Sequence, residues 1–129
     1  MPLNFEYDET ANRVLCRPSG VVTVFEIADY FLELAADERI QPHFVEVLYM
    51  ENVTDFRFSA VDFQLVAKAF AQLLDLKSVR AIVCLGKTPL HFGIGRMMQS
   101  IFAIEHPDFE THVVRTEEDA ERILADIQG

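Results

Sequence analysis

Tryptophan is missing from this 129-residue chain, and cysteine occurs only twice, at Cys16 and Cys84. Two cysteines cannot build the disulfide framework of a small secreted domain. Both stand in apolar, strand-like runs, where a thiol reads as buried, reduced and inert, and no bond between them is expected. Positive charge is scarce as well: 11 Lys and Arg face 21 Asp and Glu, a formal net charge of −10. Such a field repels phosphate backbones and anionic headgroups, which argues against nucleic acid and electrostatic membrane docking as partners.

Long hydrophobic runs are also lacking. No stretch approaches the roughly 18 uncharged residues of a membrane span. Met1 to Asp8 carries acids where a secretory signal would carry lysines and then an apolar segment, so a cytoplasmic location is expected. Glycine and proline number five each, and neither gathers into a linker, a repeat or a low-complexity tract. A chain of this length buries a core without staples, so residues 1–129 are read as one domain.

Half of the residues are hydrophobic and eleven are Phe, and their spacing alternates between two periods. Leu3 to Tyr7 and Arg13 to Arg17 alternate apolar and polar residues around the turn-like Asp8 to Asn12, which predicts a hairpin. Pro18, Ser19 and Gly20 are expected to end its second strand. Thr23 with Glu26 makes a capping box, followed by the stripe Val24, Ile27, Ala28, Phe31 and Ala35 to near Asp37. Phe44 to Met50 reads as a strand and Glu51 to Phe58 as a loop. Ser59 with Asp62 is expected to start a second helix, with Phe63, Val66, Ala67, Phe70 and Leu74 inward and Lys77 and Ser78 at its end. Val79 to Leu85 has the length and apolarity of a strand buried on both faces. After the turn Gly86 to Pro89 comes a third helix, with the expected stripe Leu90, Ile94, Met97, Ile101 and Ile104. Glu110 to Arg115 is the last strand, and Thr116 caps a final helix with Ala120, Ile123, Leu124 and Ile127 inward. The order ββαβαβαβα implies an α/β fold, a mixed sheet of about five strands with helices packed on it.

Few residues nominate chemistry. Gly86-Lys87-Thr88 sits between a strand and a helix, but a phosphate loop needs glycine where Ala81 stands. Lys87, Thr88, His91 and Arg96 remain as a candidate anion or ligand edge, at the end of the sheet where open α/β folds place ligands. His43, His91, His106 and His112 lie on different elements without ligand spacing, so neither a metal nor a cofactor is expected. No nucleophile elbow is present and no catalytic residue is nominated. Gly93 and Gly95 each cost a helix about 1 kcal/mol relative to alanine. With Phe92, Met97, Met98 and Phe102 they mark a candidate apolar pocket or interface. Phe25 and Leu32, a heptad apart, fall off the buried face of their helix and point to a homodimer.

These segments together resemble a known family. Tyr7-Asp8-Glu9 through Val14 to Gly20, Asn52-Val53-Thr54-Asp55-Phe56 leading to Ser59-Ala60, Leu90 to Met98 with Phe92-Gly93 and Gly95-Arg96-Met97, and Val114 to Ala120 are similar to the SpoIIAA-like proteins of the STAS superfamily. That fold is also compared with Sec14-type lipid-binding domains. The resemblance implies a non-enzymatic binding or regulatory module with a protein partner or small-molecule ligand, its recognition edge at the strand ends and at the helix starts near Ser59 and Pro89. The alternative it implies is a carrier or sensor of a small apolar or amphipathic ligand. In the anti-sigma-factor antagonists of the superfamily a serine at the start of a helix is phosphorylated, and Ser59 stands in the similar position. This chain departs from that motif: Arg57 replaces an expected acid, and Ala60-Val61-Asp62 replaces a glycine-rich turn. An N-cap serine has a simpler use, contributing about 1 kcal/mol to its helix.

Overall fold

The computed structural model describes residues 3–59 and 61–128. Ala60, part of the turn expected to open the second helix, lies outside the described residues. Strands β1 (Phe5–Asp8) and β2 (Arg13–Cys16) form the expected hairpin. Its turn is closed by Asn12 in the left-handed region at φ 52°, where asparagine is among the side chains that adapt best. The chain continues through β3 (Ser19–Thr23), α1 (Val24–Ala36), β4 (Val45–Tyr49), β5 (Asn52–Arg57) and α2 (Phe63–Lys77). It ends with β6 (Ala81–Leu85), α3 (Pro89–Glu105), β7 (Thr111–Val114) and α4 (Glu117–Gln128).

Five strands form one mixed sheet in the order β1-β2-β4-β6-β7, in which only the β1–β2 pair is antiparallel. This is the α/β architecture expected from the alternation of elements. Two strands were not expected. Ser19 and Gly20 do not merely stop β2: after Pro18 they begin β3, which pairs in parallel with β5, the segment read as a loop. The full order is therefore βββαββαβαβα.

Pleating sends alternate residues to opposite faces. Val14, Cys16, Leu48, Ile82 and Cys84 face the layer made by α1, α2 and α3, while Val45, Val47, Val83 and Leu85 face α4. Phe70 of α2 centres the larger layer, stacking on Phe102 at 4.4 Å between centroids and touching Phe31 at 5.2 Å and Phe109 at 5.1 Å. Cys16 and Cys84 are both free and both pair in register with Leu48 on the strand between them. Two strand spacings separate them by about 9–10 Å, beyond the reach of a disulfide.

Local signals set the helix ends. In the capping box, Glu26 N donates to Thr23 Oγ1 at 3.3 Å and Thr23 N donates to Glu26 Oε1 at 3.2 Å. Thr116 Oγ1 accepts from Asp119 N at 3.1 Å ahead of the acidic first turn of α4. The start of α2 differs from expectation. Asp62 is its N-cap, and Ser59 belongs to the preceding turn, where its hydroxyl accepts from Asp62 N at 3.4 Å. On α3 the buried stripe is His91, Ile94, Gly95, Met98 and Phe102, whereas Leu90, Met97 and Ile104 are exposed. The helix is turned relative to its hydrophobic pattern because Gly95 lets the backbone lie against β6 and β7. A Cβ there would meet Val113 Cγ1 at 2.8 Å and Cys84 Sγ at 3.0 Å.

Candidate functional site

The side chains nominated at the sheet's C-terminal edge do not converge. Lys87 follows β6 and pairs with Glu117 at 3.3 Å. Thr88 is the N-cap of α3, its hydroxyl accepting from His91 N at 3.2 Å. His91 is buried, with Nε2 2.7 Å from the Val53 carbonyl and Nδ1 2.9 Å from Thr88 Oγ1. Its ring is spent on internal bonds. Arg96 is exposed on the far side of α3 and makes no ion pair among the described residues. A hollow of about 330 Å³ does lie at this edge, but Glu117, Glu118 and Glu121 line it. Its one cation, Arg17, sits over the Tyr49 ring at 4.4 Å. Three carboxylates around a single engaged guanidinium disfavour an anion.

The apolar set on α3 separates in the same way. Met98 and Phe102 are core, Phe92 is half-buried under Arg115 at 4.2 Å, and Met97 and Gly93 face outward. The close contact of Gly95 with Val113 and Cys84 leaves no room for a ligand at that point beneath the helix.

Apolar surface collects elsewhere, around the starts of α1 and α2. Val61 is 85% exposed and Phe25 58% exposed. Phe25, Arg57, Phe58 and Ser59 border a hollow of about 280 Å³, floored by Thr23 and Val24 and closed by Asp62. The Phe56, Phe58 and Phe63 rings form a ladder behind it, at 5.4 Å and 5.2 Å. Ser59 is exposed at the rim. Arg57 points outward and pairs with Asp55 at 3.6 Å. From Phe25 a second groove of about 350 Å³ runs between α1 and α2 past Leu32, 40% exposed, and Leu65, 45% exposed. Leaving apolar side chains this open at helix starts and along a helix pair is costly for a domain with no use for them. Phe25 and Leu32 were legible as off the core face; Val61 and Leu65 were not singled out.

A buried polar cluster also escaped the sequence reading. Glu46 in the middle of β4 is 1% exposed and faces α1, where the Tyr30 hydroxyl donates to its Oε2 while its Oε1 has no hydrogen-bond partner among the described residues. Burial pushes the Glu46 carboxyl up to about 7, and the Tyr30 bond only partly opposes this. Burial likewise pushes the Cys16 and Cys84 thiols up to about 12, with the Glu46 charge adding to the effect. No group of three or more His, Cys, Asp or Glu among the described residues is placed to hold a metal ion, and no described helix is long and apolar enough to cross a membrane.

No family model and no curated protein matches the chain. Three solved structures do. The anti-sigma factor antagonist SpoIIAA in its unphosphorylated form is 16% identical, with a TM-score of 0.53 over 95% of this chain and 97% of its own. The Bacillus cell fate determinant SpoIIAA in the phosphorylated form is 15% identical, with a TM-score of 0.52 over 94% and 98%. A protein of the DUF3478 family from Shewanella loihica PV-4, described as having a SpoIIAA-like fold, is 15% identical with a TM-score of 0.57 over 95% and 91%. Near full-length coverage in both directions, with the sheet order and helix layers described above, shows that the chain adopts the SpoIIAA-like STAS fold.

Proposed function

We propose that this chain is a non-enzymatic, STAS-type regulatory module that binds a protein partner through the surface around Phe25, Ser59 and Val61. The observation that carries the reading is the exposed Phe25 on the border of the hollow at the starts of α1 and α2, with Val61, the chain neighbour of its Asp62 wall, exposed as well. Wide aromatic and aliphatic side chains at a rim of polar residues are the composition of a protein-binding anchor. The fold supports the same class, since one similar structure is named as an anti-sigma factor antagonist. The buried groups that chemistry would use, Glu46, Cys16, Cys84 and His91, are all enclosed in packing. A lipid or other apolar ligand under α3 has no comparable support, because that face is filled by Ile94, Met98 and Phe102.

Ser59 is the candidate phosphoacceptor of this surface. The residue is exposed, and among the described residues its hydroxyl makes only the long 3.4 Å contact with Asp62 N. A phosphate there would add close to two negative charges beside Asp62 and next to the apolar rim, which would weaken docking of an apolar or acidic partner.

The test is affinity capture from a lysate of the source organism, with wild-type, Val61→Glu, Ser59→Asp and Ser59→Ala chains compared by mass spectrometry. A protein retained by the wild type and lost with Val61→Glu supports the docking surface, and its loss with Ser59→Asp but not Ser59→Ala supports the switch. Equal retention by all four would remove this surface from consideration.

A further inference from the structure

The groove between α1 and α2 extends well away from Ser59 and has a charge pattern of its own. Both helices are crossovers between parallel strands of one sheet, so both run against the strands and parallel to each other. The groove is therefore lined in matching order, by Phe25, Asp29 and Leu32 on α1 and by Leu65, Lys68 and Gln72 on α2. Asp29 and Lys68 lie near the midpoints of their helices. Neither makes an ion pair among the described residues.

A two-fold axis running along this groove, parallel to the two helices, would turn a second copy face to face with the first and keep its helix direction, so that α1 of each copy lies over α2 of the other. It would set Asp29 of each copy against Lys68 of the other, with Phe25 over Leu65 of its neighbour on one side and Leu32 over Gln72 on the other. A patch that complements itself under a two-fold is the requirement for an isologous dimer. In a chain of net charge −10, a lining with one charge of each sign is also a place where two acidic molecules can meet without net local repulsion.

We propose that the α1–α2 groove is the interface of a homodimer, closed by two symmetric Asp29–Lys68 pairs over Phe25, Leu32 and Leu65. This goes beyond the partner surface proposed above and does not depend on it. Helices of 13 and 15 residues are about 20 Å long. Packed about 9 Å apart, they offer a face of roughly 400–500 Å² per copy. Twice that area lies below the approximately 1,200 Å² of a standard stable interface, so the dimer is a weak one, with a dissociation constant of about 10–100 μM.

Sedimentation velocity of the full chain over about 1 μM to 1 mM tests the interface, since that range brackets the expected constant. The wild type should pass from monomer to dimer. Asp29→Lys alone and Lys68→Glu alone each set like charges together twice and should remain monomeric through most of the range. An equimolar mixture of the two variants restores an opposite-charge pair at both positions and should dimerise at least as well as the wild type. Leu32→Glu, which does not alter the Asp29–Lys68 pairs, should abolish association with a wild-type circular-dichroism spectrum. A wild type that stays monomeric at every concentration overturns the proposal. So does a dimer unaffected by the single substitutions, or a mixture of folded variants that stays monomeric. Loss of partner capture with Val61→Glu leaves all of these outcomes unchanged, so the two surfaces fail or stand separately.

Discussion

Tyr30 reaches from α1 across the buried layer to donate its phenolic hydrogen to Glu46, a carboxylate between Val14 and Ile82 in the parallel part of the mixed sheet. Sixteen residues of chain separate the two. A carboxyl in such a site is costly to ionise, because one hydrogen bond replaces the full hydration it loses and its Oε1 has no partner among the described residues.

That cost makes stability depend on pH with a definite sign. Burial raises the folded carboxyl to about 7, whereas in the unfolded chain it keeps the ordinary glutamate value of 4.5. Below about 4.5 both states hold the proton and Glu46 carries no penalty. Between the two values the folded state holds a proton that the unfolded state has released, so stability falls as pH rises and levels off above about 7. The loss is on the order of 3 kcal/mol. Glu46→Gln keeps an acceptor for Tyr30 and removes the titration. Urea unfolding of both proteins should show the variant about 3 kcal/mol more stable at pH 8.5 and nearly equal at pH 4.5. A difference that does not change with pH would mean that Glu46 is not held in a dry site.

The two glycines of α3 should respond in opposite directions. Gly93 has nothing within 4 Å of where a Cβ would stand, so Gly93→Ala should stabilise the protein by about 1 kcal/mol through helix propensity alone. Gly95→Ala drives a methyl against Val113 and Cys84 and should cost about 1–3 kcal/mol. Val113→Ala removes the nearer obstacle, so the double variant should be more stable than the sum of the two single changes predicts. Additive costs in thermal unfolding would show that the close approach is not what Gly95 serves.

The same glycine explains much of what the sequence did and did not disclose. Strands buried on both faces and helices opened by Thr23 and Thr116 were legible because their signals lie within a few residues of one another. The α3 stripe was misplaced because hydrophobicity marks Leu90, Met97 and Ile104 as inward, whereas the contact line follows the residue with no side chain. β3 and β5 were missed because Ser19-Gly20 and Asp55 read as turn and loop, and their pairing joins segments more than thirty residues apart. Glu46 drew no notice because a single acid in an apolar run looks like an edge residue until Tyr30 is placed above it. Ser59 was found at the right turn but given the wrong cap, since one turn of extra chain precedes the helix.

Both cysteines should be inert in the native state. With thiols pushed up to about 12 by burial and by the charge of Glu46, almost no thiolate exists at pH 8. A chromogenic disulfide reagent should label neither within minutes under native conditions and both after addition of denaturant. Rapid labelling of one cysteine would reveal local opening of the layer between α1 and the sheet.

His91 supplies the last test, and it joins the core to the candidate surface. The Val53 carbonyl can only accept, so the ring hydrogen is on Nε2 and Nδ1 accepts from the Thr88 hydroxyl, whose oxygen in turn accepts from His91 N. This chain of bonds ties the start of α3 to β5, and β5 otherwise pairs only with β3. His91→Ala leaves the Val53 carbonyl without the ring donor and the Thr88 hydroxyl hydrogen without its ring acceptor, and should cost about 2 kcal/mol. Amide exchange should quicken most in β3 and β5, more than in the five-stranded sheet. β5 ends at Arg57 and leads directly into Phe58 and Ser59, so the variant should also weaken partner capture without altering any exposed side chain of the docking surface. Unchanged exchange in β3 and β5, measured in a folded variant, would show that the two-stranded sheet is held by packing alone and that His91 has no part in positioning the Ser59 turn.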